Sequence, residues 1–201
     1  VTLVLAGCAS DAPEESATEA LTSADGCSPS GAEVESIQIL GEFGDAPEVT
    51  FDAPVSAVLT QRLVVIEGDG PEVTDGDILS IDYSLYNAAT GDLIEESGYS
   101  EVSPTVLTLD TQAPSFVGVS LTAACSTVGS RVAGLIPPSE AFGPDGAPEF
   151  GLEAGESLLF IVDVVGIKPP PEPPLERIEG EPVDPPVGFP NVSYDEQGAP
   201  T

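Results

Sequence analysis

The chain contains carboxylates, tyrosines, serines and three cysteines but no histidine, and this absence limits its chemistry. Histidine is the most frequent general base and a common transition-metal ligand in proteins. Ser-His-Asp catalysis, Cys-His catalysis and His-rich zinc sites are therefore excluded. Ser97, Ser103 and Ser115 have no histidine to activate them, so nucleophilic catalysis is not expected. Any catalysis must come from carboxylates, tyrosine hydroxyls, backbone amides or a shaped apolar pocket.

Two clusters of aspartate and glycine, at residues 67–70 and 74–77, raise the question of a calcium site. Neither has the Asp-x-Asp-x-Asp-Gly spacing or the distal glutamate of a calcium-binding loop. Glycine supplies positive φ in tight turns, and aspartate bonds its own backbone there. We therefore interpret both clusters as turns, and we expect neither a metal ion nor a cofactor.

The chain is strongly acidic: 35 acidic residues stand against four basic ones, which gives a formal net charge of −31. Phosphate backbones are bound by lysine and arginine, which displace condensed counterions, so nucleic-acid binding is excluded. The acidity is typical of a solvated surface that keeps an extracytoplasmic protein soluble. The length of 201 residues fits one domain with tails, and we expect a monomer.

The first eight residues, Val-Thr-Leu-Val-Leu-Ala-Gly-Cys, form an apolar run that ends at Cys8. This run resembles the end of a bacterial lipoprotein signal, which is cut before a cysteine that then carries lipid. The alternative is a chance apolar segment with a free thiol. No later run approaches the roughly 18 apolar residues of a spanning helix. The resemblance therefore implies an extracytoplasmic protein anchored to the cell membrane by lipid alone, at Cys8.

Two cysteines remain if Cys8 carries lipid, namely Cys27 and Cys125. An oxidising, extracytoplasmic location favours a disulfide between them. The alternative is a pair of buried or unreactive thiols.

Alternation of apolar and polar residues predicts a series of short antiparallel strands. In the clearest case, Leu79, Ile81, Tyr83 and Leu85 share one face and polar residues the other, which predicts a half-buried strand. Further strands are predicted around residues 37–39, 49–51, 62–66, 107–109, 131–136 and 158–165. Residues 116–128 are rich in alanine and serine with helical spacing, and they predict one short helix on the sheet.

Composition divides the chain into four segments. Residues 1–8 end the lipoprotein signal, and residues 9–33 are a small, polar, acidic tether without an apolar period. The folded domain is predicted to cover residues 34–168. Residues 169–201 begin with a stiff proline-rich linker, and Pro-x-Val-Ser/Thr-aromatic-Asp at 190–195 repeats residues 47–52. This repeat predicts the truncated start of a second, similar domain.

Residues 58–167 resemble the FKBP-type peptidyl-prolyl isomerases, whose motifs occur here in the same order. They read Gly-Asp-Gly at 68–70, Asp-Tyr at 82–83, Gly-Asp-Leu-Ile-Glu-Glu-Ser at 91–97, Phe-Val-Gly-Val at 116–119, Val-Gly-Ser-Arg at 128–131, Pro-Ser-Glu-Ala-Phe-Gly at 138–143 and Leu-Leu-Phe at 158–160. The resemblance implies an α+β fold in which a bent antiparallel β-sheet wraps around one short α-helix. With the repeat, it implies the first of two tandem domains.

The same resemblance implies a pocket with two groups of residues. The catalytic group is Tyr83, Glu95, Phe142 and Phe160. The substrate-binding group is Ile94, Thr105, Phe116 and Val119. Within the second group, Phe116 matches the residue whose backbone N–H holds a substrate carbonyl.

Five pocket positions depart from the family pattern, and the departures weaken the implied activity. Relative to the family, an aromatic ring becomes Ile94, an aspartate becomes Glu95, a wall phenylalanine becomes Thr105, a tryptophan floor becomes Val119 and a loop tyrosine becomes Phe142. The resemblance therefore implies a weak isomerase that acts on proline-containing polypeptides and assists protein folding outside the cytoplasm. The alternative is a non-catalytic peptide-binding or chaperone domain in which these residues are simply core positions.

Overall fold

The computed structural model describes residues 27–99 and 104–169. Cys8 and the predicted second domain lie outside the described residues, and the chain separates into two units between Pro170 and Pro171. Within the described part, no helix is both long enough and apolar enough to cross a bilayer. The same residues contain no group of three or more metal-binding side chains arranged to hold an ion.

The described residues form eight strands, two α-helices and two 3₁₀ turns. The strands are β1 (Gln38–Leu40), β2 (Glu48–Thr50), β3 (Gln61–Ile66), β4 (Ile78–Asn87), β5 (Leu93–Glu96), β6 (Thr105–Thr108), β7 (Arg131–Ile136) and β8 (Leu158–Lys168). The helices are α1 (Ala32–Glu35) and α2 (Val117–Ala123). The 3₁₀ turns cover Pro138–Glu140 and Pro148–Phe150.

Strands β3 to β8 form one antiparallel sheet in the order β3-β7-β8-β4-β5, with β6 also paired to β4. The centre is the long pairing of β4 with β8, which runs from Ile78 opposite Lys168 to Asn87 opposite Leu158. The free edge of β4 is shared, because β6 pairs with residues 78–81 and β5 with residues 84–86. An antiparallel sheet with one short helix on its face is the fold class that the sequence predicts, and it is confirmed.

A first core lies between α2 and one face of the sheet. It contains Leu79 and Ile81 of β4, together with Ile136 of β7 and Phe160 of β8. Two glycines let α2 approach β7 closely: a Cβ on Gly118 would overlap the side chain of Ile136, and a Cβ on Gly134 would overlap Thr122. The short helix is therefore held by backbone-close packing as well as by apolar burial.

A second core covers the opposite face of the sheet. Val34 and Ile37 from the N-terminal segment pack there against Leu135, Leu159 and Ile161. The polar side of β4 lies on this face and is buried as well, with Ser80 at 9%, Asp82 at 5% and Ser84 at 0% exposure. The prediction of a half-buried strand is therefore wrong, because Ser97 and Tyr99 bond to Asp82 and Ser84 on that side and the β1–β2 loop lies beside Asp82.

The end of α2 is set by side chains from elsewhere in the chain. The helix was expected over residues 116–128, but it stops at Ala123, and Cys125 has a positive φ of 56°. The guanidinium of Arg62 donates to the carbonyl oxygens of Thr122 and Cys125, each at 3.0 Å. These contacts satisfy carbonyls that a longer helix would have bonded internally.

A disulfide joins the start of the described chain to the residues after α2. The Cys27 and Cys125 sulfurs are 2.02 Å apart, and the two Cα atoms are 6.0 Å apart. The one-turn helix α1, which the sequence did not predict, follows from Ala32 to Glu35. Ordered structure therefore begins before Val34, inside the segment expected to be a tether, because the disulfide and the packing of α1 hold it.

One fully buried ion pair crosses from β7 to β8. Arg131 donates to both carboxylate oxygens of Asp163, at 2.6 and 2.7 Å, and both side chains have 0% exposure. The pair also holds the β1–β2 loop, since Arg131 donates to the carbonyl oxygen of Asp45 at 2.5 Å and the Gly44 N–H donates to Asp163 at 2.7 Å. The loop is thus tied to the sheet through buried charges.

Candidate functional site: an aromatic-walled cavity

An apolar cavity of about 490 Å³ opens beside α2, on the face of the sheet that carries the first core. Seven of the eight predicted pocket residues line it, and they are Tyr83, Glu95, Thr105, Phe116, Val119, Phe142 and Phe160. The remaining wall residues are Ile81, Leu85, Val106, Leu107, Phe150 and Leu158. The predicted residue Ile94 does not line the cavity; it is half-buried and packs against the first core.

The polar contact in the cavity wall is between Tyr83 and Glu95. The pairing of Leu85 with Glu95 in the β4–β5 ladder brings the two side chains together, and the Tyr83 hydroxyl donates to Glu95 Oε1 at 2.8 Å. Burial, followed by the hydrogen bond and charge of Glu95, raises the pKa of Tyr83 to about 12. The hydroxyl therefore remains a protonated donor throughout the physiological pH range.

Ser97 fixes the edge that carries Glu95. Its hydroxyl donates to Asp82 at 2.9 Å and accepts from the Tyr83 backbone N–H at 3.0 Å. The Ser97 N–H also donates to the Tyr83 carbonyl oxygen at 2.8 Å. Three hydrogen bonds therefore hold the chain after β5 against β4, and they limit the movement of the carboxylate relative to the cavity.

Aromatic rings form two sides of the cavity. On the sheet, the Tyr83 and Phe160 ring centroids are 6.0 Å apart with the rings tilted by 40°. Across from them, Phe142 meets Phe116 edge to face at 4.5 Å and lies 5.5 Å from Phe150. Tilted and edge-to-face pairs at these distances are favourable arrangements of aromatic quadrupoles. The rings thus give the cavity stiff apolar walls.

Phe116 stands at the start of α2 in an unusual backbone conformation. Its φ of 55° and ψ of 24° are left-handed, which is uncommon for a residue with a bulky side chain. The Phe116 carbonyl accepts from the Val119 N–H at 3.1 Å, whereas its own N–H has no hydrogen-bond partner among the described residues. Strain of this kind is often found at binding sites, and here it leaves a backbone donor on a residue that lines the cavity.

Phe150 is a wall residue that the sequence analysis missed. It ends the 3₁₀ turn Pro148–Phe150 and is 45% exposed. The turn is closed by mutual pairing of Ala147 with Leu152, and Asn87 donates to the Gly151 carbonyl oxygen at 2.9 Å. No sequence signal marked it, because single exposed apolar residues are common on protein surfaces.

The arrangement favours apolar binding over proton transfer. Almost all of the wall is carbon, and the hydroxyl of Tyr83 and one oxygen of Glu95 are already engaged with each other. The Phe116 N–H is a further polar group without a partner among the described residues. Such a cavity can take up a compact apolar group such as a proline ring and offer one backbone donor to a carbonyl beside it.

No protein-family model and no curated protein matches the sequence. Among solved structures, the N-terminal domain of FKBP42 from Arabidopsis thaliana is similar, with 21% identity, 62% of this chain and 98% of that chain covered, and a TM-score of 0.51. FkpA from Escherichia coli is 26% identical over 55% of this chain and 48% of that chain, with a TM-score of 0.46. A peptidyl-prolyl cis-trans isomerase from Pseudomonas syringae pv. tomato is 19% identical over 55% and 76%, with a TM-score of 0.44.

The similarity to the Arabidopsis domain spans nearly the whole of that domain, with 98% of it covered. At 21% identity it establishes architecture. The described domain therefore has the α+β fold of the FKBP-type peptidyl-prolyl isomerases.

Proposed function

We propose that this domain is a peptidyl-prolyl cis-trans isomerase that acts on proline-containing polypeptides. The observation that carries the proposal is the apolar cavity of about 490 Å³ walled by Tyr83, Phe116, Phe142 and Phe160. Two further observations support the proposal: the cavity lies within an FKBP-like fold, and the Phe116 N–H has no hydrogen-bond partner among the described residues.

The cavity is suited to a reaction in which no proton moves. Rotation about an amide bond meets a barrier of about 18–20 kcal/mol because the C–N bond has partial double-bond character. The twisted amide has lost this resonance and is less polar than the planar one, so an apolar environment favours it. A backbone donor that holds the substrate carbonyl only in the twisted geometry adds stabilisation specific to the transition state. The absence of histidine is therefore compatible with the activity.

The proposed activity is weak. Val119 and Thr105 are small side chains in a wall that is otherwise rich in rings, and Phe142 has no hydroxyl. Each change reduces the preorganised surface that distinguishes a twisted amide from a planar one. Two losses of about 1–3 kcal/mol, partly offset by neighbours, correspond to a rate one to three powers of ten below that of a fully walled pocket.

Variants of the cavity test this proposal on the full chain. We expect Phe116→Ala and Tyr83→Ala to lower kcat/KM for a neutral Xaa-Pro peptide by about tenfold, and Val119→Trp to raise it by a similar factor. Rates are measured by NMR exchange between cis and trans signals.

Because the pKa of Tyr83 is about 12, its hydroxyl stays protonated and the wild-type rate is not expected to fall between pH 7 and pH 9.

Phe43→Ala is the matched control, since Phe43 is an aromatic residue 37% exposed on the far side of the sheet. It should leave the rate unchanged. Phe160 is only 4% exposed and belongs to the core, so its replacement is interpreted only with an unfolding measurement beside it. An isomerisation rate that none of the three cavity variants alters would contradict the proposed site.

A non-catalytic peptide-binding domain is the second candidate. The observation that favours it is the pair of small wall residues, Thr105 and Val119, which leave part of the cavity without rings. A proline-limited refolding assay separates the two functions. An isomerase shortens the slow refolding phase at substoichiometric amounts, whereas a binder must be present in excess over the refolding chain.

We further propose that the protein is extracytoplasmic, anchored by lipid at Cys8, and that residues 169–201 lead into a second similar domain. The Cys27–Cys125 disulfide supports an oxidising compartment. Cys8 itself lies outside the described residues. We expect a fatty-acid probe to label the wild-type protein and the protein to fractionate with membranes, and Cys8→Ser to abolish both results. Labelling that persists in Cys8→Ser would contradict the anchor.

A further inference from the structure

The wall of the cavity carries one charged side chain among the described residues, that of Glu95. Its Oε1 accepts from the Tyr83 hydroxyl at 2.8 Å, while Oε2 has no hydrogen-bond partner in the described part of the chain. The side chain is exposed, so Oε2 is open to a ligand. A carboxylate accepts hydrogen bonds through both oxygens, and a second donor on a substrate can use the free one.

No basic side chain of the described domain lines the cavity. Arg62 is bonded to carbonyl oxygens at the opposite end of α2, and Arg131 is fully buried in its pair with Asp163. Lys168 does not line the cavity either: it lies eight residues from Phe160 on β8, and β4 separates it from Thr108, which follows the wall residue Leu107.

Glu149 adds a second negative charge beside the wall residue Phe150. It lies next to Phe150 in the 3₁₀ turn and is exposed. The chain as a whole has a formal net charge of −31, so its overall charge has the same sign as these two carboxylates. A cleft with apolar walls and one sign of charge at its rim concentrates ligands of the opposite sign.

From this geometry we propose that the cavity selects proline-containing segments by charge, and that it prefers a lysine or arginine next to the bound proline. The inference rests on the proposed isomerase function and names its substrate class. Neighbouring residues of an extended segment lie about 3.3–3.6 Å apart, so a basic side chain beside a proline held by the aromatic walls can reach Glu95. An acidic side chain at the same place meets only like charge.

Three matched peptides, Ala-Xaa-Pro-Phe with Xaa as arginine, glutamine or glutamate, test the preference on the full chain. We expect kcat/KM in the order arginine, glutamine, glutamate, with about a tenfold ratio between the first and the last at low salt. An exposed ion pair changes an equilibrium constant by about 1.4- to 5-fold. The ratio is larger because exchanging arginine for glutamate in the peptide replaces an attraction to Glu95 with a repulsion. The ratio should fall below about threefold in 0.5 M salt because exposed charges are screened.

Two variants assign the preference to the cavity rim, and a third controls for net charge. Glu95→Gln is expected to reduce the arginine-to-glutamate ratio at least threefold, and Glu149→Gln to reduce it by a smaller factor. Glu48→Gln removes the same charge from an exposed position on β2, on the opposite side of the sheet, and should leave the ratio unchanged. Equal ratios in Glu95→Gln and the wild type would show that Glu95 does not determine specificity.

The neutral glutamine peptide separates this inference from the proposed function. If that peptide is isomerised and the arginine and glutamate peptides react at equal rates, the charge preference is overturned. The proposed isomerase activity is then still supported. If no peptide is isomerised, the isomerase proposal fails, and dissociation constants of the same three peptides from titration calorimetry decide the preference. Tighter binding of the arginine peptide then supports it, and equal binding overturns it.

Discussion

Asp163→Asn is expected to lower the free energy of unfolding by about 3–5 kcal/mol at neutral pH. The substitution keeps the shape of the side chain but removes the charge that compensates Arg131, which has 0% side-chain exposure. Taking an arginine out of water without a counter-charge is costly, and unfolding relieves that cost. Urea unfolding followed by circular dichroism gives the loss from the shift in midpoint at constant slope.

A double variant provides the control for this prediction. Arg131→Met with Asp163→Leu removes both charges, and its loss of stability should be smaller than that of Asp163→Asn alone. Arg131 Nη1 is buried without a hydrogen-bond partner in the described part of the chain, so the wild-type pair already carries an uncompensated desolvation cost. If Asp163→Asn shifts the free energy of unfolding by less than about 1 kcal/mol, the guanidinium must find water or another acceptor.

Reduction of the Cys27–Cys125 disulfide has the second large expected effect, a loss of up to about 4.7 kcal/mol for a loop of this size. The two cysteines are separated by 98 positions, so the bond closes a loop that includes β1 to β6 and α2. An open chain gains conformational entropy when it unfolds, and the closed loop removes part of that gain. The figure is an upper limit because denatured chains retain some compactness.

The measurement compares thermal unfolding of the wild type and of Cys27→Ala with Cys125→Ala, each with and without reductant. Reductant should lower the wild-type midpoint to that of the double variant and should leave the variant unchanged. Cys125 has a positive φ, and alanine bears the same backbone strain there, so the comparison isolates the covalent bond. A wild-type midpoint that does not respond to reductant at concentrations that free both thiols would refute the stabilising role.

The strands of the central sheet were predictable because their signal is local. Residues of β4 alternate in character, and β7 and β8 are mostly apolar runs interrupted by Arg131 and Asp163, so the local sequence of each strand indicates its structure. Strand β5 was not predicted, since Leu93-Ile-Glu-Glu is only four residues long and has no alternation. Strand β5 forms because it pairs with the edge of β4 and because three hydrogen bonds at Ser97 hold the residues after it against β4.

The candidate site was likewise predicted in part from the sequence. The motif order supplied eight pocket residues, and the structure places seven of them in one cavity wall. Phe150 was missed because a single aromatic residue in a loop has no pattern around it. Ile94 packs against the first core without reaching the cavity wall, since the register shift between Leu85 and Tyr86 leaves it without a partner on β4.

By itself the sequence determined the fold class, the central strands and the exclusion of histidine chemistry, because each follows from composition or from the identity and spacing of near neighbours. Only the tertiary structure decided which surfaces are covered. The polar face of β4 is buried beside the β1–β2 loop and Tyr99. Arg131 and Asp163 meet across 32 positions, and Arg62 bonds the end of α2 from 60 positions away. These contacts join distant parts of the chain, and their partners become neighbours only when the sheet closes against both its cores.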